Sequence, residues 1–302
     1  MGAPSRLGRY RVEGSLGRGT MGEVFLARDP QGMAVAIKTL AIDRMAAGED
    51  ADELRQRFDR EARTALALRH PGILAAFESG EDDGLAWIAM EHMPGSTLEA
   101  HVSRSDLLAP PLALLVVARV ADALAHAHRL GVVHRDVKPA NVLVDFATDR
   151  VKLADFGLAA VAGGMRTRTG VLLGTPAYMA PEQLAGQRPD ARADLYALGV
   201  VLFQLLTGEL PHRAESLGAL MRAVAAERAP DVRELRPDLP AVLADAVALA
   251  LEKRPERRIG DALAWAEDLR AVAALADPQA RAGLSPRAPE SGGPAGVVPG
   301  PP

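Results

Sequence analysis

A change of hydrophobic period at Pro94-Gly95 constrains this chain more than any other feature. Before it, β-branched and aromatic residues come in short runs broken by turn residues; after it, apolar residues recur at helical spacing. A small sheet-bearing part followed by a larger helical part satisfies both halves. From Tyr10 to Leu40 the pattern predicts three short strands in an antiparallel meander, broken by Gly17, Gly19 and Gly22 and by the turn Asp29-Pro30-Gln31-Gly32. Leu54 to Arg69 sets Leu54, Phe58, Ala62, Ala65 and Leu66 on one helical face and stops at His70-Pro71-Gly72. Two further strands are predicted at Ile73–Glu78 and Leu85–Met90, around an acidic turn.

Beyond the switch a long helix is expected over Pro111–Leu130, then loops and strand pairs between Gly131 and Glu182. Helices follow near Ala193–Thr207, Ser216–Glu227, Pro240–Glu252 and Asp261–Leu275. The fold class is α+β. Residues 276–302 are dense in Pro, Gly and Ser, and too poor in large apolar residues to offset the entropy of ordering, so a disordered tail is expected.

Composition removes several function classes. A net charge of −4 offers no footprint for nucleic acid, which favours a basic patch. With no cysteine there is neither a disulfide framework nor a thiolate metal site, and a reducing cytosol suits the chain. The basic N-terminus has no apolar run behind it, so no signal peptide is expected. The longest apolar stretch, Leu195 to Leu206, falls well short of the ~20 residues a membrane span needs and reads as a buried helix.

Chemistry enters at Gly17-Arg18-Gly19-Thr20-Met21-Gly22-Glu23-Val24, a G-x-G-x-x-G-x-V turn whose glycines let backbone approach phosphate oxygens. Alone it is ambiguous, because dinucleotide-binding turns and plain hairpins share the spacing. Here strands are predicted on both sides, which favours a flap over phosphates. Val35-Ala36-Ile37-Lys38 is a strand ending in a lysine, ordinarily a solvated edge charge. Glu61, mid-helix beside the apolar face, is costly there unless paired, and Lys38 is the candidate partner.

His134-Arg135-Asp136-Val137-Lys138-Pro139-Ala140-Asn141 and then Asp155-Phe156-Gly157 offer two acids and an amide in loops. Those are hard oxygen ligands suited to Mg²⁺ on a nucleotide. Phosphoryl transfer needs mainly positioning and charge neutralisation, so one Asp for the nucleophile's proton and one for the metal is a sensible minimum. Any one of these residues alone would read as a solvated turn.

In this order the motifs resemble the eukaryotic-like (Hanks-type) Ser/Thr protein kinase family, bacterial branch, over about residues 9–275. The resemblance implies a two-lobed kinase domain with an N-lobe at 9–91, a hinge at 91–94 and a C-lobe at 95–275, after an extension at 1–8. It implies that Gly17, Gly19 and Gly22 cover the phosphates of ATP, that Lys38 and Glu61 form an ion pair, and that Asp136 accepts the substrate hydroxyl proton. Lys138 is implied to contact the γ-phosphate, and Asn141 and Asp155 to hold Mg²⁺, with Mn²⁺ as the alternative ion. Leu16, Val24, Ala36, Met90 and Leu143 are implied to enclose adenine, with backbone groups of Glu91 to Met93 hydrogen-bonding it.

Gly174 to Glu182 looks like the family's substrate-positioning segment, with Thr175 shaping the cleft and Glu182 expected to pair with Arg258. Asp194, which could be a simple N-cap, matches a residue that anchors the catalytic loop. Thr167 and Thr169 match paired autophosphorylation sites, whose phosphates Arg135 could meet with help from Arg57. Ala160 stands where a basic phosphate partner is often found, so a weaker clamp is expected. The implied partners are protein substrates and ATP, with self-association for trans-autophosphorylation, in the cytoplasm. A pseudokinase scaffold would typically lack a residue matching Lys38, Asp136 or Asp155, and a small-molecule phosphotransferase would not carry Gly174 to Glu182.

Overall fold

The computed structural model describes residues 4–18, 22–42, 49–156 and 176–276. Gly19, Gly157, Ala160, Thr167, Thr169, Thr175 and the tail from residue 277 lie outside the described residues.

The first lobe is a six-stranded antiparallel sheet in the order β1-β2-β3-β4-β6-β5. Its strands are β1 Arg6–Leu7, β2 Tyr10–Arg18, β3 Glu23–Arg28, β4 Ala34–Ala41, β5 Ala76–Asp82 and β6 Leu85–Glu91. Bulges in β2 between Val12 and Gly14 and between Ser15 and Gly17 add local twist and curl the sheet. In the β3–β4 turn Asp29 Oδ1 accepts from the backbone of Gln31 and Met33, and Gly32 takes φ 85°. Helix α1, Glu49–Ala67, packs Leu54, Phe58 and Ala62 against Leu40, Ala86 and Ile88. On the other face Leu7, Tyr10, Phe25, Val35, Ile37 and Trp87 form a second cluster.

Helix α1 starts five residues before the expected Leu54 and the fifth strand runs on to Asp82, and two further boundaries differ for a physical reason. The sheet begins at Arg6, within the segment read as an extension, because Leu7 is buried and Gly8, at φ 52°, turns the chain back into β2. The fifth strand starts at Ala76, since Ile73 bridges to Leu153 and Leu74 donates to the Leu153 carbonyl, tying that stretch to the second lobe.

The second lobe is helical around a small sheet of β7 Ser96–Thr97, β8 Val142–Asp145 and β9 Arg150–Leu153. Its helices are α2 Pro110–Arg129, α3 Pro181–Leu184, α4 Ala191–Thr207, α5 Leu217–Ala226, α6 Val232–Leu235, α7 Ala241–Ala250 and α8 Ala262–Ala276. Helix α4 is buried almost all round; Asp190 caps its start and Gly208, at φ 75°, ends it. Helix α2 is long and apolar enough by composition to cross a membrane, but it is a core helix with α8 and α4 packed against it. No sequence pattern announced α6, a single turn held by Asp231 and Glu234 acting as reciprocal caps.

Candidate active site

Strand parity decides where Lys38 points. In β4 the side chains of Val35 and Ile37 enter one cluster and Leu40 the other, so Lys38 shares the α1 face with Leu40. Register sets Lys38 opposite Ile88, and Ala36 opposite Met90. From there the ammonium reaches Asp155 Oδ2 at 2.6 Å. Burial pushes the Asp155 carboxyl up, but the Lys38 charge and hydrogen bond, with the Lys138 charge behind them, hold it below its ordinary value. It therefore stays ionised at neutral pH.

The expected Lys38–Glu61 pair is not made among the described residues. Half-burial raises the Glu61 carboxyl, opposed by the fields of Arg135 and then Arg60, with no contribution from Lys38. Glu61 thus feels the field of Arg135, while Lys38 is bonded to Asp155. Arg57, expected to help clamp a phosphate, pairs with Glu53 on its own helix.

Asp136 sits in a loop fixed from below. Asp194, fully buried on α4, accepts from His134 N at 2.8 Å and from Arg135 N at 2.7 Å. It also bonds His128 Nε2 of α2 at 2.8 Å. His134 Nδ1 accepts from Asp136 N at 3.2 Å, so its proton lies on Nε2, which donates to the Ala154 carbonyl at 2.8 Å. The buried ring meets Phe156 edge-on at 4.6 Å. Arg135 and Asp155 take φ 69° and 65°, a left-handed conformation unfavourable for their side chains and maintained by these bonds.

Around the Asp136 carboxylate, Lys138 Nζ bonds Oδ2 at 2.8 Å and Asn141 Nδ2 bonds it at 3.0 Å. Asn141 Nδ2 also donates to the Asp136 carbonyl at 2.7 Å, which leaves its Oδ1 unused by protein donors among the described residues. The Asn141 carbonyl in turn accepts from Ala154 N at 2.8 Å and so sets Asn141 beside Asp155. An amide oxygen and an ionised carboxylate side by side fit a hard divalent cation.

Two of the three glycines expected over the phosphates, Gly17 and Gly22, lie among the described residues. Gly17 lies in the strand, paired with Val24, and Leu16 beside it is exposed. At Gly22 any Cβ would fall 1.7 Å from the Thr39 carbonyl oxygen, so close packing on β4 alone demands glycine there. Ala36 and Met93 are buried, and Val24, Met90 and Leu143 partly so. Glu91, read for its backbone, also anchors the lobe connection: its side chain meets Lys152 of β9 at 2.8 Å and its N–H donates to the Ala75 carbonyl at 2.8 Å. No local pattern pointed to Lys152.

Beneath the site, Glu182 of α3 and Arg258 form a buried bidentate pair at 2.8 and 3.1 Å, as expected. Arg258 also donates to the carbonyls of Arg192, Glu252 and Lys253.

The protein kinase domain family matches residues 10–269. The chain belongs to the protein kinase family. The architecture is its two-lobed fold, and the relatives put it in the bacterial, Hanks-type Ser/Thr branch. It is 43% identical over 270 residues to the serine/threonine-protein kinase PknJ of Mycobacterium tuberculosis, covering 87% of this chain and 45% of that protein. Against the serine/threonine-protein kinase PrkC of Bacillus subtilis, identity is 36% over 253 residues, covering 83% of this chain and 38% of PrkC. With the serine/threonine-protein kinase pkn3 of Myxococcus xanthus it is 37% over 275 residues, 87% of this chain and 50% of that one. The chain thus spans about half or less of the length of these curated relatives. Membership in the family carries use of ATP and a divalent metal in general terms.

Proposed function

We propose that this domain is an active Ser/Thr protein kinase, transferring the γ-phosphate of Mg·ATP to protein hydroxyls. The observation that carries the reading is the Asp136 carboxylate flanked by Lys138 and Asn141, with the ionised Asp155 alongside on the Lys38 ammonium. In it Asp136 takes the hydroxyl proton, Lys138 steadies the γ-phosphate, and Lys38 holds the α- and β-phosphates. Asn141 Oδ1 and Asp155 hold the metal, Mg²⁺ before Mn²⁺, which neutralises charge on the phosphates when bound. Leu16, Val24, Ala36, Met90 and Leu143 enclose adenine, and Gly17, Gly19 and Gly22 cover the phosphates. Thr175 works with Lys138 to favour short hydroxyls over a phenol. ATP is made and kept inside the cell, so the domain works on the cytoplasmic side.

Regulation in this reading runs through Thr167 and Thr169, phosphorylated by a second copy in transient association. A phosphate adds about −1.5 to −2 charge. It would compete with Glu61 for Arg135, whose field Glu61 already feels.

The test is incubation of the purified chain with Mg·ATP, with phosphates located by mass spectrometry. Phosphoserine or phosphothreonine is expected in the wild type, and none in Lys38→Met or Asp155→Asn, with cooperative unfolding retained. Wild-type-like labelling in either variant, or products dominated by phosphotyrosine, sinks the assignment.

A further inference from the structure

Asp136 follows a residue that the backbone alone would not hold in place. Arg135, at φ 69°, carries the strained peptide that presents Asp136, and its N–H is fixed by Asp194 Oδ1 at 2.7 Å. Its carbonyl is fixed from elsewhere. Gln183 Nε2, on α3, donates to the Arg135 oxygen at 3.1 Å, a contact across 48 positions in sequence. The same side chain uses Oε1 to accept from Ala180 N at 3.0 Å, so one amide closes the start of α3 with its oxygen and holds the catalytic loop with its nitrogen. Helix α3 is in turn anchored by the buried Glu182–Arg258 pair.

We propose that Gln183 is a positioning residue for Asp136, linking the base of the substrate-positioning segment to the catalytic loop. The proposal rests on the kinase reading above. With both ends of the Arg135 peptide held, one by α4 and one by α3, the left-handed turn persists and Asp136 keeps its aim. If the Gln183 end is released, the turn can relax at small cost to the fold, since Gln183 is only partly buried and the Asp194 anchor remains.

The two ends of the amide can be separated chemically. Gln183→Glu keeps the oxygen that caps Ala180 N but sets a carboxylate oxygen, an acceptor, against the Arg135 carbonyl. Gln183→Met removes both bonds. The glutamate variant should keep the wild-type melting temperature while its kcat for peptide phosphorylation falls about three- to tenfold, the worth of one hydrogen bond, with KM for ATP unchanged. The methionine variant should lose kcat and melt lower.

Because a protonated glutamate can donate, the ratio of Gln183→Glu to wild-type kcat should rise as pH falls. Amide hydrogen exchange over residues 133–137 without nucleotide should quicken in Gln183→Glu, a readout that stands even if the chain transfers no phosphate. Unchanged exchange there overturns the link whatever the activity; so does a wild-type kcat in Gln183→Glu, or a kcat loss in Gln183→Glu matched by a fall in its melting temperature. A wild type that labels nothing while exchange still quickens counts against the kinase reading and for the link.

Discussion

The two sides of the cleft are built to different standards of completeness. On the C-lobe side, Asp194 accepts three donors, Arg258 bonds one carboxylate and three carbonyls, and a single continuous core runs beneath them. On the N-lobe side the core is divided into two patches on opposite faces of a curled sheet. Lys38 there is bonded to a residue of the other lobe, and Glu61 is half-buried without it. The contrast separates what is held ready from what is left to move. The loop that carries Asp136 is held in place in advance, as the proposed phosphoryl transfer would require. The ammonium and the helix carboxylate remain free to re-pair, so the N-lobe side is where nucleotide or phosphorylation can shift a balance.

The largest effect should come from breaking the complete side. Arg258→Met leaves the Glu182 carboxylate buried and uncompensated, and removal of one partner of a buried pair costs about 3–5 kcal/mol. Chemical denaturation should show that loss. A shift no larger than that of an exposed control such as Arg213→Met, whose partner Glu209 is more exposed than Glu182, would mean the two sides are not built differently after all.

The contrast also explains what could be read in advance. Helices α2, α4, α5, α7 and α8 were placed from sequence within a few residues, because apolar spacing and caps such as Asp190 and Gly208 are local signals. Lys38, Asp136, Asn141 and Asp155 stood out because they sit in ordered motifs. Contacts joining distant segments left no such trace. His128 meets Asp194 across 66 positions, Gln183 meets Arg135 across 48, and Lys152 meets Glu91 across 61. Each is an ordinary polar residue on an ordinary element until the fold brings it in. The Glu61 expectation failed for a related reason: helix phase gives the face of α1 on which a carboxylate lies, but not whether the helix has rotated or shifted to bring it to Lys38.

Glu61→Gln probes the adjustable side directly. Without nucleotide, Glu61 has no ion pair to Lys38 to lose, and burial already disfavours its charge, so stability should be unchanged or slightly higher. If Glu61 swings to Lys38 during turnover, the same variant should lower kcat by about 10- to 100-fold through misplacement of the ammonium. A loss of stability without loss of activity would reverse the assignment and make Glu61 a structural residue of the N-lobe.

The smallest effect is one of slope, and it distinguishes the two sides by their response to pH. In the cleft the two shifted acids act in opposite senses. Asp155, depressed, contributes stability that is present above its unfolded value and lost as pH falls, whereas Glu61, raised, costs stability as pH rises past its unfolded value. In the C-lobe, His212 and Lys253 act in the same sense. Lys253 Nζ meets His212 Nε2 at 2.9 Å; an ammonium only donates, so the imidazole must be neutral, with its proton on Nδ1. Burial, then the Lys253 charge, lowers His212 to about 4, and burial, then Arg258, lowers Lys253 to about 8. In both cases the unfolded chain binds the proton first. Stability should therefore climb with pH from about 4 to about 6.5 as the unfolded histidine discharges, hold level to about 8, and climb again until the unfolded lysine deprotonates. His212→Gln, whose side-chain oxygen can still accept from Lys253, should flatten the lower climb and leave the upper one. Denaturation midpoints measured across that range check it, and a lower slope as steep in the variant as in the wild type would place the acid sensitivity in some other group.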